Sequence, residues 1–251
     1  MTLISVSLLD GGGMAKQVAN AMADDRPDTR AASAGPHPVG EGPAAYAAVL
    51  DAATGEGGKA ERTRARLLAA CARLMERPGA PVPTVAAICK AAGVAHGTFY
   101  LHFADRADCA GAVLSGFADF LRERMHAASA EPGGDPVRGA TAAYVRLFRV
   151  HAGLMRHMAG GLDAMPQCRA AFQALNAQWA ATVAGAMRRK AGPLSLHPDE
   201  ITRRAYALGG MVDQYLVQWL LLEDAALGRL STDEDTVIET LTTLWKKGME
   251  P

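Results

Sequence analysis

The sequence predicts an all-α protein, and three observations carry that expectation. Ala, Leu, Arg, Met and Glu, all good helix formers, dominate a 251-residue chain that is 49% hydrophobic but only 6% aromatic. β-branched runs are scarce, and no segment alternates apolar and polar residues as a half-buried strand would. Apolar residues recur instead at helical spacing. The length suffices for one large domain or two small ones.

Residues 1–58 open the chain with "RPDTRAASAGPHPVGEGP" and "ATGEGGK", rich in Gly, Pro and Ala with little to bury. They predict a disordered extension, in which residues 44–53 allow a helical turn or two. Met14 and Met22 offer alternative starts. A first helix is expected over about 60–77, where Leu67, Ala70, Cys71, Leu74 and Met75 form one apolar stripe. "RPGAPVP" stops it.

Thr84 then caps a second helix that buries Val85 and Ile88, and Gly93 closes that helix in a left-handed conformation. Val94 re-enters the core before a third helix over about 95–102, too short to be stable alone. Asp105 caps a fourth over 105–129, carrying Val113, Leu114, Phe117 and Leu121 inward. Further helices are expected at about 136–151, 152–162, 166–191, 198–224 and 233–248. Pro166 and Pro198 stand at starts, where proline is tolerated. Val237, Ile238, Leu241, Leu244 and Trp245 give the last helix its stripe.

The zero net charge hides an uneven distribution. Residues 1–58 hold three Lys/Arg against seven Asp/Glu, residues 59–110 eight against four, and the remainder fifteen against fifteen. The basic excess falls on the segment with the short third helix, as expected of a nucleic-acid-binding module on a neutral body. Cys71, Cys89, Cys109 and Cys168 lack CxxC spacing and read as buried thiols in a reducing compartment. Asp213, Gln214 and Gln218 interrupt the longest apolar stretch, so no membrane span is expected and the protein reads as cytoplasmic.

"AAGVAHGTFYLHF" (91–103) joins a helix end, a glycine turn and a short ring-bearing helix. This is a helix-turn-helix arrangement, whose second helix enters the major groove of DNA. Phe99 and Phe103 belong to its core. "TRARLLAACARLMER…PTVAAICKAAGVAHGTFYLHFADRADC", roughly residues 60–114, resembles the N-terminal domain of the TetR (tetracycline-repressor) family of bacterial regulators. The resemblance implies that Thr84, Thr98, Tyr100 and His102 hydrogen-bond phosphates and that Arg106 reaches the DNA backbone. It places His96, Gly97 and Leu101 near base edges. Ala95 stands where a phosphate-binding serine is common, and its methyl suits only a thymine methyl. Ala86 and Ala87 are too short to read bases, so direct readout is sparse. Lys59, Arg62 and Arg66 are placed to approach the backbone or minor groove.

A lone helix-turn-helix makes few contacts, and dimers reading half-sites about 34 Å apart solve this. The family pairs its last two long helices, here 198–224 and 233–248, into a four-helix bundle. "YALGGMVDQYLVQWLLL" is apolar nearly all round and needs a second surface to cover it. Gly209 and Gly210, costly in a helix by roughly 1 kcal/mol each, are expected where helices approach closely. Rings and methionines of the middle helices suit an apolar effector: Phe117, Tyr144, Phe148, Met155, Met158, Phe172, Trp179, Met187, Met211 and Tyr215.

His151, His157 and Asp163 match no metal spacing, and no glycine-rich phosphate loop, nucleophile elbow or HExxH motif occurs. No enzyme, metal or cofactor is expected. The sequence thus divides into an extension (1–58), a helix-turn-helix domain (59–104) and a helical effector-binding and dimerisation domain (105–251). The expected function is a homodimeric repressor on a palindromic double-stranded operator, released by a small, largely apolar ligand. A ligand-dependent activator fits the same residues. So does a helical ligand-binding scaffold without DNA contact.

Overall fold

Helix-forming composition yields helices throughout the computed structural model, which describes residues 45–55, 58–160, 166–190 and 196–250. The elements are α1 (Tyr46–Ala52), α2 (Lys59–Met75), α3 (Val85–Ala92), α4 (His96–Phe99), α5 (Arg106–Ser129), α6 (Pro136–Val150), α7 (Ala152–Gly160), α8 (Pro166–Lys190), α9 (Pro198–Leu216), α10 (Ala225–Leu230) and α11 (Glu234–Gly248). Of the segment expected to be disordered, residues 1–44 lie outside the described residues. Within the remainder, α1 is docked, because the Tyr46 ring packs 5.4 Å from both Phe117 and Phe120. The Asp51 carboxylate also pairs with Arg73 at 2.5 Å.

Side-chain caps start most of these helices. The Thr84 hydroxyl accepts from the Ala87 N–H at 3.2 Å, and Asp105 accepts from Asp108 at 2.9 Å. Asp135 accepts from Val137 and Arg138, ahead of Pro136 in the first turn. Each such cap contributes on the order of 1 kcal/mol. Gly93 ends α3 at φ 64°, ψ 39°, where any Cβ is strained.

Two expectations change in shape. Helix 198–224 ends early. From Val217 to Leu221 the chain widens into a π turn, with Leu222 N–H bonding the Val217 carbonyl, and Glu223 then turns left-handed at φ 53°. The Arg156 guanidinium takes the Leu221 carbonyl at 3.0 Å and Asp224 caps a separate α10, so the break has its own partners. Gly209 is not a close-approach point, since a Cβ built there meets nothing within 4 Å.

The helix-turn-helix is held by Leu67, Met75, Ile88 and Phe99, all fully buried. Each such side chain supplies about 1.5–3 kcal/mol of burial. α2 lies against α5, and α5 packs on α6 and α8. α11 covers α6 through Val237, Ile238, Leu241 and Trp245. Along that seam Arg146 and Arg149 reach Glu234 at 3.1 and 2.9 Å, Arg138 pairs with Glu239, and Lys246 with Asp135. These pairs are largely solvent-exposed and contribute little individually. Cys71, Cys89 and Cys109 are buried free thiols. The side chain of Cys168 lies outside the described residues.

Candidate DNA interface and effector cavity

α4 has a single regular turn, because Gly93 and Ala95 fix where it begins and Phe99 must plug the core beneath it. The chain beyond Phe99 tightens. Leu101 N–H bonds Thr98, and His102 and Phe103 both bond the Phe99 carbonyl. Burying Phe99 and Phe103 turns the intervening residues outward. Tyr100 is 54% exposed and Leu101 81% exposed. Ala95, His96 and Gly97 are exposed, while Thr98 and His102 are half-buried. His96 and Tyr100 pack edge to face at 5.6 Å.

Thr84 and Arg106 are exposed at the starts of α3 and α5, flanking α4 in the chain. All nine residues singled out for DNA are thus wholly or partly open to solvent, at or between the starts of α3, α4 and α5. The Thr84 hydroxyl is already engaged as a cap acceptor, which leaves its proton for an outside oxygen. Arg64 lies over the Phe103 ring at 5.2 Å, adding a cation beside the motif.

A second feature lies in the body. A cavity of about 620 Å³ opens between α5, α6, α8, α9 and α11. Met125, Val137, Ala140, Leu175, Val183 and Val212 make its aliphatic wall, and Trp179 and Trp245 meet edge to face at 6.4 Å. Gly209 lines it without a side chain, which accounts for that glycine in a helix. Of the ten residues expected around an effector, Tyr144, Trp179 and Met187 line this cavity.

The other seven do not. Phe117 packs against Tyr46 and His151, and Phe148 is fully buried against Tyr144. Met155, Met158 and Phe172 are core. The Tyr215 hydroxyl bonds Ser231 at 2.7 Å and its ring faces Trp219, while Met211 is half-buried away from the cavity wall. Helical spacing alone does not separate a core ring from a lining ring, which explains the mixture.

The polar lining is sparse. Thr141, Thr182 and Ser129 each donate to a carbonyl of their own helix. Asp213 accepts from the Tyr144 hydroxyl at 2.7 Å, and burial raises its pKa to about 6 despite that bond. Burial also raises the Tyr144 phenol, with the Asp213 charge adding to it. Sequence reasoning used Asp213 only as an interruption of an apolar run; an acid at the centre of such a run was itself the available signal. Asn176, Trp245 and Met125 carried none.

Among the described residues no group of three or more His, Cys, Asp or Glu is placed to hold a metal. Nor is any described helix long and apolar enough to cross a membrane.

A helix-turn-helix with an outward second helix, set on a helical body, is the arrangement of a DNA-binding regulator. Residues 67–113 match the model of bacterial regulatory proteins, tetR family. The chain is 27% identical over 197 residues to the probable HTH-type transcriptional regulator ArpR of Pseudomonas putida, and 27% identical over 199 to the HTH-type transcriptional regulator TtgR of the same species. Each alignment covers 73% of this chain and 93% of the relative. The transcriptional regulator FadR of Bacillus subtilis, solved in complex with stearoyl-CoA, superposes with a TM-score of 0.56 at 15% identity, covering 74% of this chain and 98% of FadR. Residues 67–113 thus carry the DNA-binding region of the tetR family, and most of the chain's length is similar to HTH-type transcriptional regulators.

Proposed function

We propose that the protein is a homodimeric repressor that leaves its operator when a small, largely apolar molecule fills the cavity among α5, α6, α8, α9 and α11. The observation that carries this reading is the path of α5. Its first turn, with Arg106, follows the α4 turn directly, and its last turns, with Met125, His126 and Ser129, line the cavity. A 24-residue helix extends about 36 Å. A tilt forced at the cavity end therefore moves the DNA end as one rod.

In this reading Thr84, Thr98, Tyr100, His102 and Arg106 hold phosphates, and Ala95, His96, Gly97 and Leu101 face the groove. Residues 59–104 form the DNA-binding domain and 105–251 the effector and dimer domain. The half-exposed face of α9 and the exposed Leu244 of α11 meet the same face of a second copy. The effector acts only through its differential affinity for the released state.

The test is a reporter behind the gene's own upstream DNA, scored against apolar compounds with the wild type and with Gly209→Leu. The variant adds a helix-favouring side chain where a Cβ meets nothing and the cavity is open. The reading expects repression by both proteins and induction of the wild type only. Induction that survives Gly209→Leu, or expression that needs the protein, overturns it.

A further inference from the structure

The cavity wall carries one acid that nothing in the described protein neutralises. Asp213 sits on α9, and the one hydrogen bond its carboxylate makes among the described residues is that accepted from the Tyr144 hydroxyl at 2.7 Å. No Arg or Lys side chain among the described residues pairs with it. Removing a carboxylate from water without a cation is costly, and proteins rarely retain such a group without a use for it. The pKa near 6 that burial imposes still leaves the carboxylate largely ionised at neutral pH.

The remainder of the lining narrows what the charge is for. The hydroxyls of Thr141, Thr182 and Ser129 are already turned to their own helices, so they do not compete for a ligand. Asn176 presents a buried Nδ2 without a partner in the same wall. His126 is the one basic side chain of the wall, and it forms no ion pair with Asp213. The remaining side chains are aliphatic or aromatic, with the two indoles of Trp179 and Trp245 at right angles. An anionic head group would meet a like charge in a low-dielectric space. A neutral oil would leave the carboxylate stranded. A cation completes the site, and indole faces favour cations as well.

We infer that the effector is a lipophilic amine, whose protonated nitrogen donates to the Asp213 carboxylate while its ring-bearing body fills the space beside Trp179 and Trp245. Tyr144 holds the carboxylate in place and is a positioning residue. The inference rests on the effector-cavity reading above and narrows it to one charge class.

The experiment uses the full-length protein at pH 7.5 and three probes on one skeleton: 4-phenylbenzylamine, 4-phenylbenzyl alcohol and 4-phenylbenzoic acid. Binding is followed by quenching of tryptophan fluorescence and by calorimetry. The amine is expected to bind at least about tenfold more tightly than the alcohol, as a charge-assisted hydrogen bond implies, and the acid more weakly than either. Asp213→Asn keeps an acceptor for Tyr144 and removes the charge. It should abolish the preference for the amine while leaving alcohol binding within about twofold.

Tyr144→Phe, a second variant with the ring intact, should reduce the preference without abolishing it. An alcohol or acid that binds as tightly as the amine overturns the inference, as does the absence of amine binding or an undiminished preference in Asp213→Asn. The same titrations with labelled upstream DNA keep the two readings apart. Tight amine binding without DNA release sinks the repressor mechanism alone. Release by alcohol and amine alike sinks the charge class alone.

Discussion

The imidazole Nδ1 of His151 lies 2.7 Å from Oε1 of Glu76, and the other oxygen of Glu76 accepts the Leu154 N–H at 2.8 Å. One carboxylate at the end of α2 thus caps the start of α7 and engages the residue that separates α6 from α7. His151 is only 2% exposed and its ring is wedged against Phe117 and Phe120. Gly153 completes the joint, because a Cβ there would overlap the Glu76 backbone. The helix-turn-helix and the body are therefore keyed together by main chain as well as by side chains.

Breaking that joint should be expensive. Glu76→Ala leaves a buried imidazole nitrogen and a first-turn N–H without partners, at a cost of about 2–3 kcal/mol. Glu76→Gln retains acceptor capacity and should cost less. Urea midpoints at constant m-value measure both, and equal losses in the two variants would contradict the capping role.

Asp213→Asn should stabilise the unliganded protein at neutral pH. The folded pKa of Asp213 is raised to about 6 from an ordinary 3.8, so the charged form carries a penalty. The penalty is fully present above about pH 6 and fades as pH falls towards the unfolded value. A shift of about two units corresponds to roughly 3 kcal/mol. Thermal melts should show the variant well above the wild type at pH 7.5 and the gap closing by pH 4. A gap that is constant across this range would argue against a buried carboxylate as its source. Amine binding should weaken over the same descent, with Tyr144 and His126 as the other titratable groups in the wall.

At the DNA face, Arg106→Ala should lower the slope of log affinity against log salt by about 1 for each subunit. Tyr100→Phe should weaken binding to all sequences alike, since a phosphate contact carries no sequence information. Anisotropy titrations with specific and scrambled duplexes read both. Sequence-selective loss in Tyr100→Phe would instead put that hydroxyl on a base.

Leu244 is 43% exposed on α11 and Leu222 60% exposed just past the π turn. Charges placed on a dimer seam are costly to bury. Leu244→Glu and Leu222→Glu should therefore raise the dimer dissociation constant without changing helical content, as sedimentation and circular dichroism would record. Unchanged association in both variants would move the dimer seam elsewhere.

Most of the helices were legible because each depends on local terms: the Leu67–Met75 stripe, the Thr84 and Asp105 caps, the Gly93 turn. The outward face of α4 was legible for the same reason, since burying Phe99 and Phe103 leaves Tyr100 and Leu101 nowhere else to go. The cavity was not. Phe148 and Trp179 obey the same periodicity, and only the way five helices meet decides that one is core and the other lining. The break after Leu216 was equally hidden, because it depends on Arg156 reaching across from another helix to the Leu221 carbonyl. Asp213 was visible as an oddity, but its burial is a property of the assembled wall.

Glu76, His151 and Gly153 contribute nothing to the cavity lining. Ligand choice and mechanical linkage therefore draw on separate sets of atoms. A biosensor engineer can randomise the wall around Trp179 and Val212 to recognise new analytes while the hinge hardware stays as evolution left it.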